Sequence, residues 1–199
     1  MKIKIQNNIT KILFLLILFF SISYCDQKIE KEVNKDAQID VRVFSSLTCP
    51  HCAHFHEKVV LKIKSDSVLN NIVNFEHIGF PLDLAALNAE KILYCSKNQE
   101  NRFELLTHLY NEQNNWASGS NINDINESLK KIANKFKISN INVAKCLKDE
   151  NLEEEILKKM LDARKKFKIE STPTVFINEK KYEGKHNFKS FKKEVEKLL

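Results

Sequence analysis

The chain has 199 residues, five cysteines and a formal charge of +6, and no basic run in it is interleaved with aromatics, which leaves nucleic-acid binding without support. Three of the positive charges, Lys2, Lys4 and Lys11, precede Tyr24; beyond it Lys+Arg falls from 32 to 29 against 26 Asp+Glu, so the rest is only mildly basic at +3. The remaining length, about 175 residues, is enough for one well-cored domain with room for an insertion.

Lys2, Lys4 and Lys11 are followed by an unbroken apolar run from Ile12 to Phe20, and then by Ser21 and Ser23. This order of basic, apolar and small residues predicts a secretory signal peptide over 1–23. The run falls short of the about 20 residues that a membrane span needs. A retained N-terminal anchor and a lipid-modified Cys25 are the alternatives; Tyr24 is bulky where lipidation expects a small residue. Export would place the cysteines where disulfides persist. Asp26 to Gln38 is polar and charged, so residues 24–38 read as a flexible linker.

Val41 to Phe44 alternates as a strand does, and Phe55, Val59 and Ile63 then recur at helical spacing, predicting a helix from Cys52 to Lys64. Between them stands Cys49-Pro50-His51-Cys52. A helix N-terminus carries partial positive charge and unpaired N–H groups, and both stabilise a thiolate at Cys49. Pro50 suits the first turn because its missing N–H has no intrahelical partner there. The His51 ring can bring a charge or a hydrogen bond to the same sulfur. A stabilised thiolate leaves easily and favours the dithiol form, which makes the disulfide a strong oxidant.

Three other readings compete for this motif. Haem attachment needs His directly after the second Cys, where Ala53 stands. Zinc or copper binding would use His51, His54 and His56, but a structural zinc site draws a second ligand pair from farther along the chain. Cys95, Cys146 and His186 each stand alone. Two ordinary core cysteines would not require Pro and His between them. His54 and His56 are read as solvated helix residues, and no metal site is assigned.

Asn74 to Ile78 predicts a second strand, closed by Gly79 and Pro81. From Pro81 to Glu170 the pattern is helical throughout. Asp83 caps a helix through Cys95 with Leu84, Leu87 and Leu93 inward; Phe103, Leu106 and Leu109 mark the next. Asp124 and Glu127 form a capping box before Ile125, Leu129, Ile132 and Phe136. Leu152, Ile156, Met160, Ala163 and Phe167 line the last, with Glu153 to Glu155 opening it and Lys165, Lys166 and Lys168 closing it. Trp116 is read as packing. Thr174 to Ile177 is a third strand, turned by residues 178–180, with Lys181 to Glu183 pairing back. Phe188, Phe191, Val195 and Leu198 share one face of a terminal helix.

This order, with Cys49-Pro50-His51-Cys52 after the first strand and Ser171-Thr172-Pro173-Thr174 before the hairpin, resembles the thioredoxin fold. The helical block, the dipeptide Pro50-His51 and the stretch Gly79-Phe80-Pro81-Leu82-Asp83 resemble the DsbA family of thiol–disulfide oxidoreductases. The fold expected is α/β, with residues 39–80 and 168–199 forming a thioredoxin-like domain and 81–167 a helical insertion. The resemblance implies that Pro173 is a cis proline facing the cysteines and that Thr172 offers backbone to a substrate segment. It implies Cys49 as the exposed, attacked sulfur, Cys52 as its shielded partner, and His51 and Pro50 as residues tuning Cys49.

Two departures from the family stand out. Val43 occupies the strand position where thioredoxins bury a proton-relaying acid, so the proton of Cys52 must go to water, Glu57 or Glu76. Lys168 and Ser171 stand where many relatives have glycine. In an oxidising compartment Cys95 and Cys146 are expected to form a structural disulfide rather than remain two buried thiols.

The function expected is therefore an exported, periplasmic, monomeric oxidoreductase that introduces disulfides into secreted proteins carrying free thiols. The family implies reoxidation by a quinone-linked inner-membrane protein of the DsbB type, with no soluble cofactor. A disulfide isomerase or reductase of the same fold, or a non-enzymatic metal-binding chaperone, are the alternatives.

Overall fold

The computed structural model describes residues 37–96 and 98–199. The expected signal peptide, Cys25 and nearly all of the linker lie outside the described residues. Among the described residues no helix is long and apolar enough to cross a membrane.

Strand β1 (Ile39–Ser45) runs parallel to β2 (Val73–Gly79) and antiparallel to β3 (Thr174–Ile177), and β3 pairs with the short β4 (Lys180–Lys181). The sheet order is β2-β1-β3-β4. Side chains alternate across a strand, so β1 sends Ile39, Val41 and Val43 to one face and Phe44 to the other. On the first face lie α1 (Pro50–Phe55), a π-helical turn (His56–Val60), α2 (Leu61–Ser65), α3 (Leu69–Ile72) and the terminal helix, through Phe55, Val59, Ile63, Leu69, Phe191 and Val195. The other face is closed by Phe44, Phe80, Ala163, Ile169 and Phe176.

Between β2 and β3 the chain is helical: α4 (Leu84–Cys95), α5 (Gln99–Asn111), α6 (Gln113–Trp116), α7 (Ile122–Lys135), α8 (Asn140–Lys148) and α9 (Glu150–Phe167). After the hairpin comes α10 (Phe188–Glu196). The core of this block includes Trp116, whose indole N–H donates to the Leu109 carbonyl at 2.7 Å, and it also takes in Leu47, Cys49 and Cys52. Cys95 on α4 and Cys146 on α8 are disulfide-bonded, with Cα atoms 6.2 Å apart. Buried Lys91, one turn before Cys95, ties the same helices to α9 through the Leu147 carbonyl and Glu153.

Several local expectations are corrected. The helix after the motif starts at Pro50 rather than Cys52 and widens into a π turn. Leu84 and Leu198 face solvent. The α7 cap is Asn121, three residues before Asp124: its side chain accepts from the N–H groups of Asn123 and Asp124. The returning strand is Lys180–Lys181, because Asn178 takes the left-handed conformation (φ 53°) and closes the turn early. Lys168 ends α9 in the same conformation, at φ 50°.

Candidate active site

The β1 strand delivers the chain to Ser45, and Cys49 then caps α1 in an extended conformation. Its carbonyl accepts from the N–H groups of Cys52 and Ala53, starting the helix, while its own N–H donates to the Ser46 carbonyl at 3.1 Å. The sulfur therefore sits over the free N–H end of α1, as the placement of Pro50 predicts. Pro50 and His51 are exposed; Cys49, expected to be the exposed sulfur, is instead only 8% exposed, and it and Cys52 are both buried free thiols.

The 49–52 loop is held from two sides. Asp83, which caps α4 by accepting from Ala86 N at 2.7 Å, accepts a second bond from the Thr48 hydroxyl at 2.7 Å. From the helical block, buried Gln113 donates from its side-chain amide to the carbonyls of Leu47 (2.7 Å) and Cys49 (3.2 Å). Nothing in the sequence marks Gln113, because its partners lie more than sixty residues away.

Facing the thiols is the Thr172–Pro173 bond, which is cis. It turns the Thr172 carbonyl to within 3.4 Å of Cys49 Sγ. The Thr172 hydroxyl is buried without a hydrogen-bond partner and acts on both sulfurs. A proline at the next position offers no N–H to the thiols and no further ligand atom.

The two sulfurs are driven apart in acidity. The Cys52 thiol, hydrogen-bonded to Cys49, lowers Cys49 from its ordinary 9.0 to about 5, against the opposing effect of burial; Thr172 and the backbone N–H groups of Cys52 and His51 add to it. The backbone of His51 is thus one of the groups acting on the sulfur. Burial holds Cys52 far above the ordinary thiol range, and the neighbouring Cys49 raises it further. One sulfur is poised to be an anion and leaving group, the other to hold its proton.

His54 is exposed as expected, but His56 is not. It is 3% exposed in the π turn, bonded through Nε2 to the Thr107 hydroxyl at 2.9 Å, and burial lowers its pKa to about 3. Beside α1 a groove of about 430 Å³ is lined by Pro50, His54, Glu57, Asn111 and Asn114. Among the described residues no three His, Cys, Asp or Glu side chains are grouped to hold a metal ion.

A dithiol on a helix N-terminus, faced by a cis proline across a four-stranded mixed sheet, defines a thioredoxin-like protein. The chain belongs to the thioredoxin family, whose model matches residues 34–197. Among curated proteins it is 25% identical over 177 residues to disulfide bond formation protein D of Bacillus subtilis, covering 82% of this chain and 74% of that one. A Rickettsia bellii protein, provisionally named a protein-disulfide oxidoreductase, is 27% identical over 146 residues, and the match spans 73% of this chain but only 55% of that relative's length. Among solved structures, Wolbachia pipientis alpha-DsbA1 superposes with a TM-score of 0.69 at 27% identity, over 81% of this chain and 84% of that one. Oxidised BdbD of Bacillus subtilis superposes at 0.66 with 20% identity, over 82% and 88%, a likeness of fold alone. The structural neighbours are thus DsbA-family proteins.

Proposed function

We propose that this protein is an exported thiol–disulfide oxidoreductase working in the oxidising direction. A substrate thiolate attacks the Cys49 sulfur of the oxidised protein, the Cys49–Cys52 bond breaks, and Cys52 leaves and takes up a proton. A second substrate thiolate then attacks the substrate sulfur of the mixed disulfide; the new substrate disulfide forms and Cys49 departs as a thiolate. The observation that carries this reading is the placement of Cys49 at the N-cap of α1 beside the Cys52 thiol, whose hydrogen bond, together with the backbone N–H groups of Cys52 and His51, lowers the Cys49 pKa to about 5, while burial makes Cys52 keep its proton. An anion that is stable in the dithiol form makes the disulfide form oxidising.

The cis turn supports a docking role for Thr172 and Pro173, and the adjoining groove leaves space for a substrate chain. The basic, apolar and small order of residues 1–23 supports export, with the periplasm as destination. Secreted proteins with free thiols are the substrates this chemistry fits, and a membrane disulfide protein of the DsbB type is the reoxidant expected. The Cys95–Cys146 disulfide is given a structural role. The test is equilibration of the Cys49–Cys52 couple against glutathione, with disulfide formation followed in a reduced, unfolded test protein. A couple more oxidising than glutathione, with stoichiometric transfer of disulfides, is the expected result. A couple as reducing as thioredoxin's, with no transfer, would overturn the oxidase direction.

A further inference from the structure

The groove beside α1 is bordered by two rows of side chains, with buried Gln113 in its floor. Along one side Pro50, His54 and Glu57 follow at helical spacing through α1 and the π turn. Along the other, Asn111 and Asn114 stand three positions apart where α5 passes into α6. Pro50 is the residue after Cys49, so the groove adjoins the sulfur that exchanges.

Gln113 carries the sign of an absent ligand. It is 7% exposed, and its side-chain nitrogen donates to the carbonyls of Leu47 and Cys49. Two carbonyl acceptors fix which end of this amide is the nitrogen, because only the NH2 end can donate. The oxygen and nitrogen of an amide diverge, so Oε1 is turned away from both carbonyls. Oε1 accepts no bond among the described residues, yet it is not one of their fully buried orphan atoms. It therefore opens to the space that Gln113 lines. An N–H brought there meets an acceptor already largely stripped of water, where a hydrogen bond is electrostatically stronger than in bulk solvent.

The rim narrows the class of ligand. Asn111 and Asn114 are exposed, and their side-chain amides, which donate and accept, make no hydrogen bond among the described residues. Glu57 is paired with Lys58, so the rim offers little net charge to select an ion. Donors and acceptors spread along a groove match the alternating N–H and C=O groups of an extended polypeptide. The volume of about 430 Å³ lies within the range of about 300–1,000 Å³ that ligand pockets occupy. A small polar solute would meet the same amides. However, one Gln113 side chain joins the groove floor to the Cys49 carbonyl, and the partner that bonds to Cys49 is itself a polypeptide.

We propose that this groove holds a stretch of substrate polypeptide beside its reacting cysteine, through main-chain hydrogen bonds to Gln113 Oε1 and to the amides of Asn111 and Asn114. Substrates are then selected for an extended backbone rather than for particular side chains. A folded chain has already paired its backbone groups internally and cannot offer them. The inference rests on the thiol–disulfide exchange proposed above and names the substrate feature that the site recognises.

The test follows reduction of the oxidised full-length protein by two thiols. One is a short unstructured peptide with a central cysteine; the other is N-acetylcysteine amide, the same thiol without a flanking chain. The peptide is expected to react about 10-fold faster, the effect of two or three net hydrogen bonds. N-methylation of its peptide bonds, one at a time, should remove this advantage at one or two positions on one side of the cysteine. Exchanging the flanking side chains among Ala, Ser and Lys should leave the rate nearly unchanged. Combining Asn111→Ala with Asn114→Ala should lower the ratio of peptide rate to amide rate by about 10-fold. The proposal is overturned if the wild-type protein treats peptide and amide alike, or is indifferent to N-methylation at every position. It is equally overturned if the side-chain exchanges change the rate more than N-methylation does. These three readings use the wild-type protein, so they decide even if the double variant fails to fold. A wild-type protein that reacts with neither thiol sinks the exchange reading itself, a distinct result.

Discussion

The sulfur of Cys49 lies 3.4 Å from the carbonyl oxygen of Thr172, a residue 123 positions away, across the cis bond to Pro173. That contact joins the strand-to-helix junction to the start of the hairpin. Cys52, one helical turn along, lies behind Cys49 in the core shared with the helical block.

This arrangement gives the two cysteines unequal fates. Cys49→Ala is expected to abolish disulfide exchange, because the buried, protonated Cys52 cannot replace the ionised sulfur. Cys52→Ala should accumulate mixed disulfides with substrate proteins, since nothing within the chain remains to resolve them. Non-reducing gels of each variant incubated with a disulfide-containing test protein, whose disulfide the Cys49 thiolate can attack, distinguish these outcomes.

Gln113→Ala removes two hydrogen bonds to the active-site loop and leaves the carbonyls of Leu47 and Cys49 with lost partners. A destabilisation of about 1–3 kcal/mol is expected from denaturant unfolding. The first exchange step should slow as well, because the loop that presents Cys49 loses its anchor in the helical block.

His56 gives the fold an acid limb. Its pKa falls from 6.5 to about 3 on folding, because burial disfavours the charged ring. Above pH 6.5 the ring is neutral in both states and contributes no pH dependence. Between about 6.5 and about 3 the unfolded chain takes up a proton that the folded one refuses, so stability falls as pH falls through that window. In His56→Gln this part of the acid slope should disappear from a series of denaturant melts.

Lys168 holds φ at 50°, a left-handed conformation that L side chains resist. Lys168→Gly should raise stability by about 0.5–1 kcal/mol, the relief of the Cβ contact outweighing the added freedom of the unfolded chain. The midpoint of denaturant unfolding checks it.

Much of this was legible in the residues. The alternation around Val41 to Phe44, the apolar spacing of Phe55, Val59 and Ile63, and the cap at Asp83 are local signals, and each element forms where its signal lies. The pair Cys49 and Cys52 could be read because few other chemistries use two cysteines at that spacing on a helix start, whereas the cis turn at Thr172 and Pro173 was expected only through the family resemblance. What escaped depends on distant partners. His56 is buried because Thr107, 51 residues away, supplies its bond. The π turn that carries it follows from packing, not from propensity. Asn121 outcompetes Asp124 as a cap through a shift of three residues, too small for a pattern to resolve. For Glu90 there was a signal: it falls on the stripe of Ala86 and Leu93, so a charged residue there had to be buried.

The central claim is that Cys49 is an anion at neutral pH, and its titration by thiolate ultraviolet absorbance tests this most directly. With Cys49→Ala setting the baseline for the second sulfur, the reduced wild-type protein should show one ionisation at about 5, far below the ordinary 9.0. A single ionisation close to 9.0 would contradict the account, because the disulfide would then have no stabilised leaving thiolate to make it oxidising.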